Sequence, residues 1–207
     1  MTKNIKWLDW ARRIQAISQT GLEFAHNEYD IERNKKLEKI AAEIISEHSN
    51  LGETEILQIF LNQKGYATPK VDVRTAIVKD EKLLLVKEVS DGKWAMPGGW
   101  ADVGDIPSQA AIREAKEESG FDVEIIKVLG VYDANRKSGG LELFHAVKIV
   151  YLCKIIDGEA TPSFETPEVK FFSINELPQL SENRTNIKHI DHIIAHLKDP
   201  NRPTDFD

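Results

Sequence analysis

A short helix-forming stretch, residues 113–121, carries three glutamates on one face and follows a pair of glycines at 98 and 99. Glu114, Glu117 and Glu118 stand at i, i+3 and i+4, so their side chains project from the same side of a helix. Like charges this close repel, and a helix built only for stability would avoid them. A divalent cation reverses that sign, because Mg²⁺ and Mn²⁺ bind clustered carboxylate oxygens. The simplest explanation of this face is a metal site.

A solvated, glutamate-rich helix face is the plain alternative, since Glu with Lys or Arg at i+4 spacing is ordinary surface chemistry. The wider pattern of fixed positions from Gly99 to Gly120 argues against a solvated face. In chains of ordinary composition this pattern would occur by accident on the order of once in ten thousand chains. The positions that share this fixed spacing are Gly99, Asp105, Arg113, Glu114, Glu117, Glu118 and Gly120.

This spacing resembles the Nudix box, the loop–helix–loop of the Nudix hydrolases, and residues 94–99 resemble the usual lead-in of that family. The resemblance covers roughly residues 70–198 and implies an α/β/α sandwich. Asp105 departs from the pattern, because Nudix boxes usually carry Glu there and Asp reaches about 1.5 Å less far. The resemblance implies Mg²⁺, with Mn²⁺ as the alternative, held by four groups: Glu114, Glu117, Glu118 and the backbone carbonyl of Gly98.

The hydrophobic pattern changes near residue 68, with helical periods before it and strands after it. The fold class predicted is α+β, a Nudix sandwich preceded by a small all-α domain, with domains at residues 1–66 and 67–207. Trp7, Trp10, Ile14 and Ile17 form one stripe of the first helix. Two further helices are predicted, one after Asp30 with Leu37, Ile40, Ala41, Ile44 and Ile45 inward, and one at about residues 54–62.

The helical domain contains nine Lys/Arg and ten Asp/Glu in residues 1–68. Such a neutral balance disfavours a DNA-binding helix-turn-helix, which needs positive charge against the phosphates. A unit this small buries little apolar area by itself, so it should pack on the second domain or on another subunit. We expect a homodimer.

The sequence also offers candidates for the remaining catalytic roles, a residue that orients the carboxylates and a general base. Arg113 is predicted to orient the carboxylates by pairing with Glu117 at i+4 rather than to act on the substrate. The general base is either a box glutamate, chiefly Glu114, or a carboxylate of the loop that carries Glu165 and Glu168. Between the loop residues we favour Glu168, although a solvated loop is an equally simple interpretation.

The substrate is expected to be a nucleoside diphosphate linked to another moiety. Within the family the chain resembles bacterial CDP-choline and ADP-ribose pyrophosphatases, which implies cleavage of CDP-choline to CMP and phosphocholine, with RNA 3′-end trimming as a related activity. ADP-ribose hydrolysis and a catalytically weak nucleotide sensor are the alternatives. Candidates for contacting the base or phosphates are Arg74, Trp94, Trp100 and Arg136.

Composition bounds the remaining classes. The net charge of −7 argues against a nucleic-acid coat protein, and the longest apolar run is too short to span a bilayer. Cys153 is the only cysteine, which fits a reducing cytoplasm, and its apolar strand predicts a buried side chain. His192 and His196 have zinc-like spacing, but with His189 they are interpreted as exposed residues of the last helix.

Overall fold

The computed structural model describes residues 6–134 and 143–207 of the chain. These residues divide into two compact units, a helical one that ends at Pro69 and a second one that begins at Lys70. Residues 143–145 group with the helical unit although they lie between two strands of the second. Within the described ranges, no helix has the length and apolar character needed to cross a membrane.

The helical unit contains α1 (Lys6–Glu23), α2 (Glu28–Glu47) and α3 (Glu53–Leu61). Asn27 caps α2, because its side chain accepts a hydrogen bond from an amide of the first turn. The Ser18 hydroxyl donates to the carbonyl of Asn34 at 2.7 Å, which fixes the crossing of α1 and α2. The core of the unit consists of Leu8, Ala11, Ala41, Ala42, Ile45, Ile56 and Phe60.

The apolar stripe predicted for the first helix is only half buried. Trp7 and Ile14 pack at the edge of the helical core, whereas Trp10 is 54% exposed and Ile17 is 63% exposed. Ile40, predicted to face inward from α2, is also exposed. The inward assignment of Ile40 was wrong, and the stripe of α1 is buried only in part, because the core of the helical unit is built on Ala11, Ala41 and Ala42.

The second unit is a seven-stranded sheet, within the described residues, flanked by two helices. The strand order is β3-β2-β1-β5-β4-β7, and β6 pairs with β2 outside that path. β1 and β5 run parallel, while β4 and β5 are antiparallel. The elements are β1 (Lys70–Lys79), β2 (Lys82–Lys87), β3 (Trp94–Ala95), α4 (Pro107–Ser119), β4 (Phe121–Asp133), β5 (Ala146–Gly158), β6 (Val169–Ser173), α5 (Ile187–Lys198) and β7 (Asp205–Phe206).

Each face of the sheet carries its own apolar core. On one face Ala111 and Ala115 of α4 pack with Val73 of β1, and on the other Ile190 and Ile193 of α5 pack with residues of β1, β2 and β4. β1 is buried on both faces, as is usual for a strand that is central in a covered sheet. The predicted α+β class and α/β/α sandwich are therefore confirmed.

The histidines of α5 were wrongly interpreted as exposed. His189 and His196 are buried, and burial lowers the pKa of His189 to about 3. His196 Nε2 lies 3.0 Å from Asp205 Oδ2, and the Tyr132 hydroxyl lies 2.8 Å from His192 Nδ1. His192 and His196 both contact Asp205 of strand β7, which the sequence pattern did not indicate.

Candidate active site

The segment from Met96 to Gly99 runs beside the first half of β1. The amides of Thr75 and Val73 donate to the carbonyls of Pro97 and Gly99, both at 2.9 Å. The carbonyl of Gly98, between them, accepts no hydrogen bond from the described residues. A side chain at Gly98 is impossible, because its Cβ would lie 2.0 Å from the carbonyl oxygen of Val73 and its φ is +142°.

α4 brings its glutamates to this segment. Pro107 begins the helix, and Gly120 ends it with a φ of +80°, a left-handed conformation that glycine adopts without strain. Glu114 and Glu118 stand three and seven residues after the buried Ala111, so they lie beside the alanine stripe and reach the glycine segment from its edge. Sequence alone indicated both ends of this helix and the side on which its carboxylates lie.

Glu118 is the most buried of the three glutamates, at 8% exposed. Its Oε2 accepts the amide hydrogen of Gly98 at 2.7 Å. Burial raises the pKa of Glu118 to about 7, against the opposing effects of Arg74 and the Gly98 amide. A buried carboxylate with so high a pKa lacks compensating positive charge, and a cation would supply it.

Glu114 lies against the second glycine of the pair. A Cβ at Gly99 would lie 3.0 Å from Glu114 Oε2, so a side chain there would crowd the carboxylate. Burial raises the pKa of Glu114, and Arg113 opposes the shift. The two glycines therefore each meet one carboxylate.

Arg113 joins the remaining acidic groups. Its Nη1 lies 2.7 Å from Glu114 Oε1 and 3.1 Å from Glu117 Oε2, and its Nη2 lies 3.2 Å from Asp105 Oδ2. The i+4 pairing with Glu117 was predicted. Asp105 also accepts the amide hydrogen of Asp102, so the shorter side chain still reaches the arginine while closing its own turn.

The three glutamates do not converge on one point in this structure. Among the described residues, no group of three or more His, Cys, Asp or Glu side chains is spaced to hold a metal ion. Glu114 and Glu117 are both bound by Arg113, and Glu117 is exposed. The residues nevertheless fit a divalent cation by chemistry, because they are hard oxygen donors and one is buried without sufficient positive charge.

A buried network of charged side chains, formed by Asp72, Arg74 and Lys148, supports the glycine segment. Most of this network was not predicted from the sequence. Arg74 Nε donates to Asp72 Oδ1 at 2.9 Å, and its Nη1 donates to the carbonyl of Met96 at 3.2 Å. Lys148 Nζ lies 3.3 Å from Asp72 Oδ2. The amide of Met96 donates to the hydroxyl of Thr185 at 2.8 Å. Both the amide and the carbonyl of Met96 are therefore fixed by hydrogen bonds. The sequence feature that could have indicated this charged network is Lys148, a lysine inside the apolar strand β5.

A second group of ion pairs lies beside this charged network. Glu88, which directly follows β2, is buried, and its Oε1 lies 3.2 Å from Arg184 Nε and 3.9 Å from Arg74 Nη1. Burial raises the pKa of Glu88, and the two arginines oppose the shift. Arg184 also contacts Ser181 and Ser90, so it fastens the turn after β2 to the segment before α5.

The predicted loop base is held by lysines. Glu168 accepts hydrogen bonds from Lys170 and, at 2.7 Å, from Lys87, and these bonds lower its pKa to about 2. A carboxylate with so low a pKa is a weak proton acceptor. Glu165, in the same loop, is exposed, and its carbonyl accepts the amide hydrogen of Val89.

The substrate-contact candidates occupy different environments. Trp94 is buried in the core against Phe172, and Arg74 is buried in the charged network. Neither side chain is therefore placed to contact the base or the phosphates of a substrate directly. Trp100 is exposed and its backbone is bridged to Asp72, which keeps it available. Arg136 lies outside the described residues. Cys153 is buried as predicted, and burial raises its pKa to about 12.

Comparison with known families matches both units. Residues 68–193 match the Nudix domain, which accounts for more than half of the chain. The chain belongs to the Nudix hydrolase family. Residues 5–60 match a second family, described as a UDP-X-like, N-terminal oligomerisation domain. The protein is therefore a Nudix pyrophosphohydrolase with a helical N-terminal domain, and Nudix hydrolases generally use divalent metals.

Three relatives of this Nudix protein are informative. A Bacillus subtilis protein named putative ADP-ribose pyrophosphatase YjhB is 37% identical over 202 residues, covering 98% of this chain and 97% of its own. The crystal structure of a UDP-X diphosphatase is 33% identical, with a TM-score of 0.62, and covers 99% of this chain and 100% of its own. An ADP-ribose pyrophosphatase structure from Streptococcus suis is 34% identical with a TM-score of 0.62, and its whole chain aligns with 68% of this one.

Proposed function

We propose that this protein hydrolyses the pyrophosphate bond of a nucleoside diphosphate linked to a second moiety. The observation that carries the proposal is the contact of two carboxylates with two glycines, in which Glu118 binds the Gly98 amide and Glu114 lies against Gly99. Glu114, Glu117, Glu118 and the Gly98 carbonyl would hold Mg²⁺, or Mn²⁺ in its place. When bound, the cation offsets the charge of the pyrophosphate and acidifies water.

The chain's own residues would orient this reaction. Arg113 holds Glu114 and Glu117 on one side, while Arg74 and Thr185 fix the peptide of Met96 that precedes the glycines. Preorganised groups of this kind avoid the cost of rearrangement during the reaction. For the proton acceptor, we propose Glu165 or Glu114 in place of Glu168, because its two lysines leave Glu168 a weak base.

The linked moiety is proposed from the relatives and from the sequence resemblance. Two relatives that span nearly the whole chain carry ADP-ribose and UDP-X in their names, which favours these substrates over CDP-choline. CDP-choline, yielding CMP and phosphocholine, stays a prediction, as does trimming of RNA 3′ ends. We propose Trp100, exposed next to Gly99, as the ring that stacks on the nucleobase.

A substrate panel tests the proposal. ADP-ribose, UDP-glucose, CDP-choline and a short RNA are each incubated with the protein and Mg²⁺ or Mn²⁺, and the products are separated by anion-exchange chromatography. We expect a nucleoside monophosphate from at least one of the first three. Lack of turnover on every compound with either metal would contradict the proposal and favour the nucleotide-sensor alternative.

We also propose that the protein is a cytoplasmic homodimer. The family model that matches residues 5–60 describes an oligomerisation domain, and the single buried cysteine suits a reducing compartment. Light scattering at several protein concentrations measures the subunit number, for which two is the expected value.

A further inference from the structure

The loop between β5 and β6, residues 159–168, contains a buried threonine. Thr166 is 0% exposed, whereas the other residues of this loop, all of which the structure describes, are exposed or half-buried. Burying a hydroxyl costs free energy unless it forms hydrogen bonds. The Thr166 hydroxyl donates to the backbone carbonyl of Glu118 at 2.7 Å, although the two residues are 48 apart in sequence. A specific contact with α4 therefore holds this threonine in place.

The contact lies at the C-terminal end of α4, where the last carbonyls of a helix have no partner within the helix. The loop supplies two partners. The Thr166 hydroxyl binds the carbonyl of Glu118, and the amide of Thr161 donates to the carbonyl of Ser119 at 2.9 Å. The Glu118 carboxylate in turn accepts the amide hydrogen of Gly98. Glu118 thus joins the loop through its backbone and the glycine segment through its side chain.

The tip of the loop, Phe164 and Glu165, is closed by hydrogen bonds between the residues on either side of it. The amide of Ser163 donates to the carbonyl of Thr166 at 3.0 Å, and the amide of Thr166 donates to the Ser163 hydroxyl at 3.1 Å. Because the Thr166 hydroxyl uses its one hydrogen for Glu118, the Ser163 hydroxyl, 2.7 Å away, donates to it. The tip is therefore fixed to α4 through Thr166.

Glu165 is held beside the charged groups that support the glycine segment. Its carbonyl accepts the amide hydrogen of Val89 at 3.2 Å, which sets the tip of the loop against the turn after β2. Glu88, the residue before Val89, lies 3.9 Å from Arg74, which donates to the carbonyl of Met96. Burial chiefly raises the pKa of Glu88, and the negative charge of Glu165 adds to the shift. The Glu165 carboxylate is therefore close to this buried acidic group.

We propose that Thr166 is a positioning residue, which holds Glu165 at a fixed distance from Glu118. The proposal rests on the proposed function, in which Glu165 is one of two candidate proton acceptors and Glu118 is a metal ligand. A general base acts only within hydrogen-bond reach of the water that it deprotonates. Displacement of a reacting group by about 1 Å can lower the rate by about a hundredfold. A hydroxyl that binds the backbone of the ligand itself keeps this distance constant.

Replacing the hydroxyl by a methyl group tests this role. Thr166→Val keeps the shape of the side chain but removes its bond to Glu118, so kcat should fall by about tenfold or more while KM changes by less than about twofold. Thr166→Ser keeps the hydroxyl and should restore most of kcat. Thr161→Val is the matched control in the same loop, because the Thr161 hydroxyl is exposed and binds the nearby carbonyl of Glu159. It should leave both constants unchanged.

A double variant separates positioning from general support of the fold. In a protein that already carries Glu165→Gln, Thr166→Val should lower kcat by less than about twofold, because the group that the threonine positions is gone. Hydrogen exchange, which needs no substrate, should be faster for the amides of residues 159–168 in Thr166→Val and unchanged in Thr161→Val. Should Thr166→Val fail to fold, Ser163→Ala removes the other partner of the Thr166 hydroxyl and should lower kcat in the same direction.

The outcomes separate this proposal from the proposed function. Turnover that Thr166→Val retains in full would overturn the proposal and leave the proposed function intact. An equal loss of kcat from Thr166→Val with and without Glu165→Gln would also overturn it, because the threonine would then act independently of Glu165. Lack of turnover by the unsubstituted protein would overturn the proposed function and this proposal together.

Discussion

At the scale of single residues, the site depends on how deeply each carboxylate is buried. Glu118 is enclosed and binds a backbone amide, Glu114 is half-buried, and Glu117 lies at the surface on Arg113. The sequence placed all three on one face but could not rank them. Their depth is set by contacts with the glycine segment, which lies outside the helix.

The free energy of unfolding of Glu118→Gln should respond to pH differently from that of the unsubstituted protein. The pKa of Glu118 is about 7 when folded and 4.5 as its ordinary value, so its contribution is full below pH 4.5 and is lost as pH rises through 7. Without metal, the variant should gain on the order of 3 kcal/mol relative to the unsubstituted protein between pH 4.5 and pH 8.

Urea unfolding with a chelator present measures this difference. Glu124→Gln is the control, since Glu124 is exposed and pairs with Lys154 at 2.9 Å, and its stability should track the unsubstituted protein. Parallel stability curves for Glu118→Gln and the unsubstituted protein would mean that Glu118 titrates normally.

The two loop glutamates should separate in their effects on turnover. Glu165→Gln should lower kcat by about a hundredfold or more if it accepts the proton, whereas Glu168→Gln should change it far less, because lysine pairing lowers the pKa of Glu168 to about 2. Steady-state rates with the preferred nucleotide give both values. A larger loss in Glu168→Gln would restore it as the base.

At the scale of elements, the segment Met96–Gly99 joins the two halves of the site. The sequence indicated its role through the glycine pair, and it indicated α4 through the glutamate spacing. The sequence did not indicate the buried charged network of Arg74, Asp72 and Lys148, because charged residues in a strand ordinarily predict a solvent-facing side. Here β1 is covered on both faces and Lys148 of β5 is buried, so these charges compensate one another internally.

Arg74→Met should destabilise the protein by about 3 kcal/mol or more, because it leaves buried acidic groups without a principal partner. Arg13→Met is the matched control, since Arg13 lies 3.9 Å from Asp9 in an exposed pair whose loss should cost about 1 kcal/mol or less. Chemical denaturation compares the two. If both substitutions lower the free energy of unfolding by the same small amount, the buried charged network contributes little to stability.

At the scale of the whole molecule, the division into a helical and a mixed unit was evident from the change of period near residue 68. The long strands and helices were predicted because their apolar patterns are regular. The two-residue strands β3 and β7 were not, since so short a segment has no period. Exposure of α1 was also unpredictable, because an apolar side chain has the same pattern whether it packs internally or on a second copy.

A fragment comprising residues 68–207 should fold cooperatively and be monomeric. The second unit has two apolar cores of its own, and the Streptococcus suis structure is a whole chain that aligns with only 68% of this one. Thermal unfolding followed by circular dichroism, together with light scattering, checks both properties. A fragment that lacks a cooperative transition would show that the units fold only together.

The central claim is that the glutamate face of α4 and the glycine segment together hold a divalent cation, and binding of Mn²⁺ tests it most directly. Electron paramagnetic resonance of free Mn²⁺ at neutral pH, without nucleotide, measures the dissociation constant for the unsubstituted protein, Glu118→Gln and Glu124→Gln. We predict binding that weakens by about tenfold or more in Glu118→Gln and is unchanged in Glu124→Gln. Equal Mn²⁺ affinity in all three proteins would contradict the account.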